Sequence, residues 1–402
     1  MTRFPSWLRS VVSLVLVAVA SAFLMHAYDL RREHVRRGTP PDVHSGPWGD
    51  LQSWNIRLEQ PLEYVGFDKV TADGHYWNFG TLGQDAVAGI LKEAGYSEEQ
   101  VRLLLSSASV TPQGFVVSPT PEFITALTPE NRSKLYLLLA RNPANRFQST
   151  PYYIANGNVE KLFDDHFSSD GEAIRLMKRL LYMRNGFTYF SDPEAVLKLF
   201  KTQDERLKFL QSLTSQDAVL LRLFIRPDAD IDKPLNYWCL GMSGVLLKDL
   251  KPLFEAQKRL PEGGSISILY LLPPVAREHL FTSPLPPAPG TSDKLPDCHW
   301  TALNFFNPTP DARLSDNAYA SDFIMKNYYE VAAPGICGDL VLLLDQQSRV
   351  VHSSIYLADD IVFTKNGINY AQPWILMHEK DMVGAFSALE PVKVAYFRRK
   401  GI

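Results

Sequence analysis

Cysteine is scarce in this chain. Of 402 residues only Cys239, Cys298 and Cys337 are cysteine, too few for a disulfide framework. There is no Cys-x-x-Cys pair and no His-Glu-x-x-His segment, which argues against the common zinc chemistries, and no glycine-rich phosphate loop, which argues against a nucleotide-binding enzyme. Positive charge is not in excess: 41 Lys and Arg stand against 44 Asp and Glu, so nothing points to nucleic acid. Repeats of solenoid length are also absent. The expectation is therefore no metal, no cofactor and no nucleic-acid partner. What is present is ordinary globular material, 46% hydrophobic and 21% charged, too apolar for a disordered chain and long enough for two or three domains.

The N-terminus reads as an export signal or a membrane anchor, residues 1–28. Arg3 and Arg9 precede an apolar run from Val11 to Met25, with Ala18, Ala20 and Ala22 near its end. That is the order of a secretory signal. Counted through Tyr28, the run also suffices for a single span of about 20 residues. Arg31, Arg32, Arg36 and Arg37 follow, so both flanks are basic and the orientation rule does not decide. The first 38 residues carry six Arg against Asp29 and Glu33, a net of +4, which leaves −7 for the rest. Residues 29–47 read as a linker.

From 48 to 280 the signals are mainly helical. Ser97-Glu98-Glu99-Gln100 is a capping box ahead of Val101, Leu103, Leu104 and Leu105. Thr120-Pro121-Glu122, Thr128-Pro129-Glu130 and Asp192-Pro193-Glu194 each offer an N-cap, a proline at the first helical position and an acid in the first turn. Leu207, Leu210 and Leu213 mark a further helix, and Ser265–Tyr270 reads as a strand. Asp164-Asp165-His166 lacks a second ligand set and reads as a solvated edge. The proline-rich stretch 281–296 reads as a stiff linker and marks the domain boundary. With no catalytic cluster of its own, the helical region is expected to limit access to whatever the C-terminal segment does, the alternative being a spacer that only projects that segment from the membrane.

Chemistry-bearing residues gather in 297–402. Asp297 is a candidate N-cap, which puts Cys298 in the first turn of a helix, where free N–H groups and the helix dipole stabilise a thiolate. Gly338-Asp339-Leu340-Val341 reads as a turn entering a buried strand, and Val350–Leu357 as a second strand on which His352, Ser354 and Tyr356 share one face. Small Ser354 leaves room for the Cys298 helix on that face. If the following hairpin loop has three residues, Thr364 and Asn366 join the His352 face; a two-residue loop brings Lys365 there instead. Either Thr364 or Asn366 would fix the imidazole tautomer. Cys337 opens a strand and reads as packing, with a Cys239–Cys337 disulfide left open. His378 reads as the solvated face of a terminal helix.

Asp297-Cys298, then Gly338-Asp339-Leu340-Val341, then His352-Ser353-Ser354-Ile355-Tyr356-Leu357 resembles the NlpC-type family of papain-like cysteine peptidases. The resemblance covers 296–385. It implies an α+β chain, a mainly helical N-terminal domain followed by a papain-like domain in which the Cys-bearing helix packs on an antiparallel sheet. It further implies Cys298 as nucleophile, His352 as general base and Thr364, twelve residues on, as the third position, which is most often His in the family. His299-Trp300 stands where the family has Ser-Gly. The implied activity is hydrolysis of amide bonds in peptidoglycan stem peptides by an exported protein. Two rival readings are thiol acyl transfer or lipid deacylation on the same fold, and a catalytically decayed binding module.

Overall fold

A computed structural model describes residues 40–61, 76–163, 171–242, 244–284, 295–369 and 371–402. The expected signal segment, Asp164-Asp165-His166 and most of the proline-rich linker lie outside the described residues. The protein is mixed α+β with antiparallel sheets.

The chain enters through the hairpin β1 (Asp42–Gly46) and β2 (Gly49–Leu58). It continues through β3 (Trp77–Asn78), α1 (Gln84–Glu93), α2 (Glu98–Ser106), β4 (Ser109–Thr111) and β5 (Gly114–Val117). Helices α3 (Pro121–Ala126), α4 (Pro129–Leu139) and α5 (Arg146–Ser149) follow, then β6 (Tyr152–Tyr153), α6 (Glu172–Leu180) and the hairpin β7 (Tyr182–Arg184)–β8 (Phe187–Phe190). Helices α7 (Pro193–Leu197) and α8 (Gln203–Thr214) lead to β9 (Gln216–Ile225), α9 (Asp232–Trp238), α10 (Gly244–Lys258), β10 (Gly264–Ser267) and α11 (Pro274–His279). The C-terminal part holds α12 (Cys298–Leu303), α13 (Asn317–Asn327), β11 (Tyr328–Val331), β12 (Leu340–Leu344), β13 (Val350–Ala358), β14 (Ile361–Lys365), β15 (Trp374–His378), α14 (Glu379–Phe386) and β16 (Lys393–Arg399).

Several starts follow from capping chemistry. Ser97 accepts the Gln100 N–H while Gln100 reaches back to the Ser97 N–H, closing the box ahead of α2. Thr128 caps α4. Asp192 does not cap α7; its carboxylate accepts the buried Tyr136 hydroxyl instead. The expected strand at Ser265–Tyr270 is β10, which turns into a short 3₁₀ segment at Ile268.

The cores divide the chain differently from the expected 48–280 and 297–402. One core runs from Trp77 to Leu213 and contains nothing from outside that range among its fully buried members. A second joins Leu51, Leu223, Ile225, Trp238 and Phe254 to Leu303, Leu340, Ile355, Phe363 and Trp374. Residues 216–280 therefore belong with the C-terminal part, because β9 pairs with β2 and their inner face is covered by C-terminal side chains. The helical unit is an insertion between two paired strands. It also carries two small three-stranded sheets, β3-β5-β4 and β6-β8-β7, so "mainly helical" describes it only in part.

The six-stranded sheet runs β11-β16-β12-β13-β14-β15, and every neighbour pair is antiparallel. Beside β15, residues 280–282 lie against Trp374 through its N–H and carbonyl, which pins the chain just before the linker. Gly338 enters β12 at φ +92, and a Cβ there would stand 2.2 Å from the Phe306 ring, so glycine is required twice over.

Candidate active site

Asp297 caps α12 by accepting the Trp300 N–H at 2.7 Å, and Cys298 is the first helical residue. The helix is tied to the sheet by Trp374 Nε1 donating to Thr301 Oγ1 at 2.9 Å and by His299 Nδ1 lying 2.6 Å from Ser353 Oγ. The sulfur is almost closed off, with Cys298 9% exposed. Burial pushes its thiol up to about 11, against the backbone N–H groups of Ser353, His299 and Cys298, while the charge of Asp297 pushes the same way as burial. The expected thiolate is thus not the resting form. The residue that starts the helix is itself a carboxylate, and it offsets the dipole that the first turn would lend the sulfur.

His352 is fully buried on β13. Its Nε2 lies 2.8 Å from Thr364 Oγ1, and that hydroxyl donates onward to Asn366 Oδ1 at 3.4 Å. A hydroxyl has one proton; with it directed at Asn366, Thr364 accepts from His352, which assigns the Nε2–H tautomer and leaves a lone pair on Nδ1. Nδ1 is buried with no hydrogen-bond partner, as is Ser354 Oγ two residues on. Burial, helped by His299, drives the imidazole down to about 3, so it is neutral at pH 7.

The hairpin explains why Thr364 reaches this ring with Asn366 behind it. Ala358 pairs with Ile361, so the loop is the two residues Asp359-Asp360. A register shift between Tyr356 and Ala358 then returns the ladder to Ile355 opposite Phe363. One irregularity makes a two-residue loop deliver the facing of a three-residue one. Lys365 consequently points away from His352. Its ammonium donates to the carbonyls of Gly367 and Asn369 at 2.6 and 2.9 Å and lies over the Trp374 ring. Burial lowers it to about 8, and the neighbouring Cys298 and Asp297 act in the opposite direction.

The helix does not sit where Ser354 leaves room. Trp300, Ala302, Leu303 and Phe305 share a core with Ile355 and Leu357, so α12 covers the Ser353–Ile355–Leu357 face. His352 and Tyr356 occupy the other face with Val341, Leu343 and Met382 of α14, and the imidazole stacks on Phe386 at a centroid distance of 4.0 Å. The physical reason is bulk: Ile355 and Leu357 offer far more apolar surface to Trp300 and Leu303 than the His352–Ser354 face could. The Cys298 helix and the His352 ring thus lie on opposite faces of β13. Pairing of β13 with β14 stops at Ile355 and Phe363, and in the opened stretch the Ser353 N–H acts on the sulfur. No hydrogen bond joins the thiol to His352. With one group near 11 and the other near 3, moving the proton from sulfur to imidazole in this closed arrangement is uphill by on the order of 10 kcal/mol.

Of the remaining candidates, Cys337 is buried and pushed far up by burial and Asp339, and all three cysteines are free thiols. Asp339 is held by Arg398 through two bonds, at 2.9 and 2.8 Å. His378 ends β15 instead of lying in a helix, and its Nδ1 meets Asp360 at 2.9 Å. Phe386 was not legible as part of this site, because it comes from 34 residues beyond His352 with no local signal, while Lys365, the alternative that a two-residue loop offered, is turned from the His352 face by the hairpin irregularity. Among the described residues no group of three metal-ligating side chains forms, and no helix is long and apolar enough to cross a membrane. No family model, curated protein or solved structure matches this chain.

Proposed function

We propose that the protein is an exported thiol hydrolase whose C-terminal part is a papain-like, NlpC-type domain acting on amide bonds of cell-wall peptides. One observation carries the reading. Thr364, backed by Asn366, holds the Nε2–H of His352, which leaves the Nδ1 lone pair free to serve as the base, on the residue next to the Ser353 whose backbone N–H acts on the Cys298 sulfur. In this reading Cys298 Sγ attacks the carbonyl carbon as its proton passes to His352 Nδ1. The N–H groups of Cys298 and His299 receive the oxyanion. His352 then returns the proton to the departing amine, and water, deprotonated by the same nitrogen, releases the acyl group from sulfur. Export, by a cleaved signal or a retained anchor, is part of the proposal and rests on the sequence of residues 1–28.

The test is overnight digestion of purified muropeptides, read by mass spectrometry. New amines are expected from the wild type and lost in Cys298→Ala and His352→Ala. Cleavage retained in Cys298→Ala overturns the reading. Release of fatty acid from phospholipid vesicles in place of amines turns it into a lipid deacylase. A second reading, a binding module without turnover, is favoured by the missing thiol–imidazole bond; it predicts retention on cell-wall sacculi by a protein that never cleaves them.

A further inference from the structure

His352 is fully buried, and one ring of its cover comes from a helix outside the sheet. Phe386, at the last turn of α14, lies nearly flat on the imidazole, with an angle of 21° between the rings. The sheet holds the start of α14 through Tyr396 on Glu379 and the packing of Met382, and the inserted helical unit grips the rest. Tyr153 OH donates to Asp381 at 2.7 Å near the start of α14, and Tyr189 OH donates to the Gly384 carbonyl at 2.7 Å. Asn185 Nδ2 and Arg184 Nη1 hold the carbonyls of Ser387 and Ala388, each at 2.8 Å. These four bonds join residues about two hundred positions apart, and three of the donors belong to the β7–β8 hairpin. The approach is close enough to require glycine: a Cβ on Gly384 would stand 2.6 Å from the Tyr153 ring and 2.8 Å from the Phe187 ring.

We infer that the helical unit is an intramolecular brake: through the β7–β8 hairpin it clamps α14, and so keeps the Phe386 ring over His352 and the site closed. The inference rests on the thiol-hydrolase reading for its consequence, but not for its geometry. Its direction follows from the chemistry of a general base. A dry imidazole under Phe386 titrates far too low to take a proton at neutral pH, whereas a base works best when it titrates near the working pH. Withdrawing Phe386 would admit water to the ring and raise its basicity.

The experiment is labelling with diethyl pyrocarbonate at pH 7, with modified histidines mapped by mass spectrometry, on the full chain. In the wild type the exposed His44 is expected to be labelled and the buried His352 to be spared. Gly384→Val wedges Tyr153 and Phe187 away from α14, and His352 labelling is expected to rise at least tenfold while His44 is unchanged. A gentler variant guards against misfolding. Tyr189→Phe combined with Asn185→Gly removes two of the four bonds and suits the backbone, because Asn185 sits at φ +52. It is expected to raise labelling several-fold with a cooperative melt retained. Muropeptide cleavage is followed in parallel and should rise with labelling. Labelling that rises without any cleavage supports the clamp and removes the hydrolase reading. Labelling that stays at the wild-type level in both folded variants overturns the clamp, whatever the activity.

Discussion

Replacing His352 with Gln and following urea unfolding from pH 7 to pH 4 isolates the stability that one buried ring ties to pH. Burial holds its folded-state value at about 3, against an ordinary 6.5. Between those two values the unfolded chain binds the proton and the folded one does not, so stability is complete above pH 6.5 and drains away as pH falls. Each pH unit in that window is worth about 1.4 kcal/mol. The wild type is therefore expected to lose about 2 kcal/mol more than His352→Gln on going from pH 7 to pH 5, and about 3 kcal/mol more by pH 4. Against a typical total of about 5–15 kcal/mol, that is a large share from one side chain. His378 works in the opposite sense, since Asp360 raises it, but it is common to both proteins and cancels in the difference. Midpoints of the two proteins that fall in parallel over this range would refute the reasoning, because His352 would then be hydrated or charged in the folded state.

Cys298, with its thiol near 11, is expected to react with iodoacetamide at pH 8 on the order of a hundredfold more slowly than an ordinary cysteine, with the rate still climbing at pH 10; mass mapping of the labelled cysteine checks this, and ordinary reactivity at pH 8 contradicts it. Thr364→Val leaves both imidazole nitrogens unpaired and is expected to cost about 1–3 kcal/mol, whereas Asn366→Ala, which loses only a 3.4 Å contact, costs less than about 1. Equal costs in denaturant titrations would mean that the two side chains do not act in series. Arg132 donates to the carbonyls of Arg179, Leu181, Ile124 and Leu127 inside the helical unit, so Arg132→Met is expected to lose at least about 3 kcal/mol, and calorimetry should show the loss in that unit before the sheet.

Local chemistry was readable from the residues, and distant chemistry was not. The Ser97 box and the Thr128 cap involve groups three residues apart, and both formed as the sequence implied. The alternation along Val350–Leu357 likewise placed His352, Ser354 and Tyr356 together. The Asp192 cap failed because a hydroxyl 56 residues away offered a stronger, buried partner. The position of α12 failed for a related reason: both faces of β13 are buried, and alternation names the faces without saying which one a given helix will cover. The proline-rich stretch was a plausible boundary by composition, yet the cores are separated where β2 and β9 pair, a contact spanning more than 150 residues.

That pairing has a mechanical consequence. Leu58 sits directly across from Gln216, so the polypeptide leaves and re-enters the sheet at neighbouring points, a few ångströms apart in an antiparallel ladder. The intervening unit is thus a cassette on a double stem. A two-residue turn from Leu58 to Gln216 would restore an uninterrupted hairpin, and the sheet beneath could fold without its passenger. The reverse holds for the passenger: while the stem stays paired it remains tethered at both ends, so a unit that detaches from α14 stays at high effective concentration and re-docks without having to search.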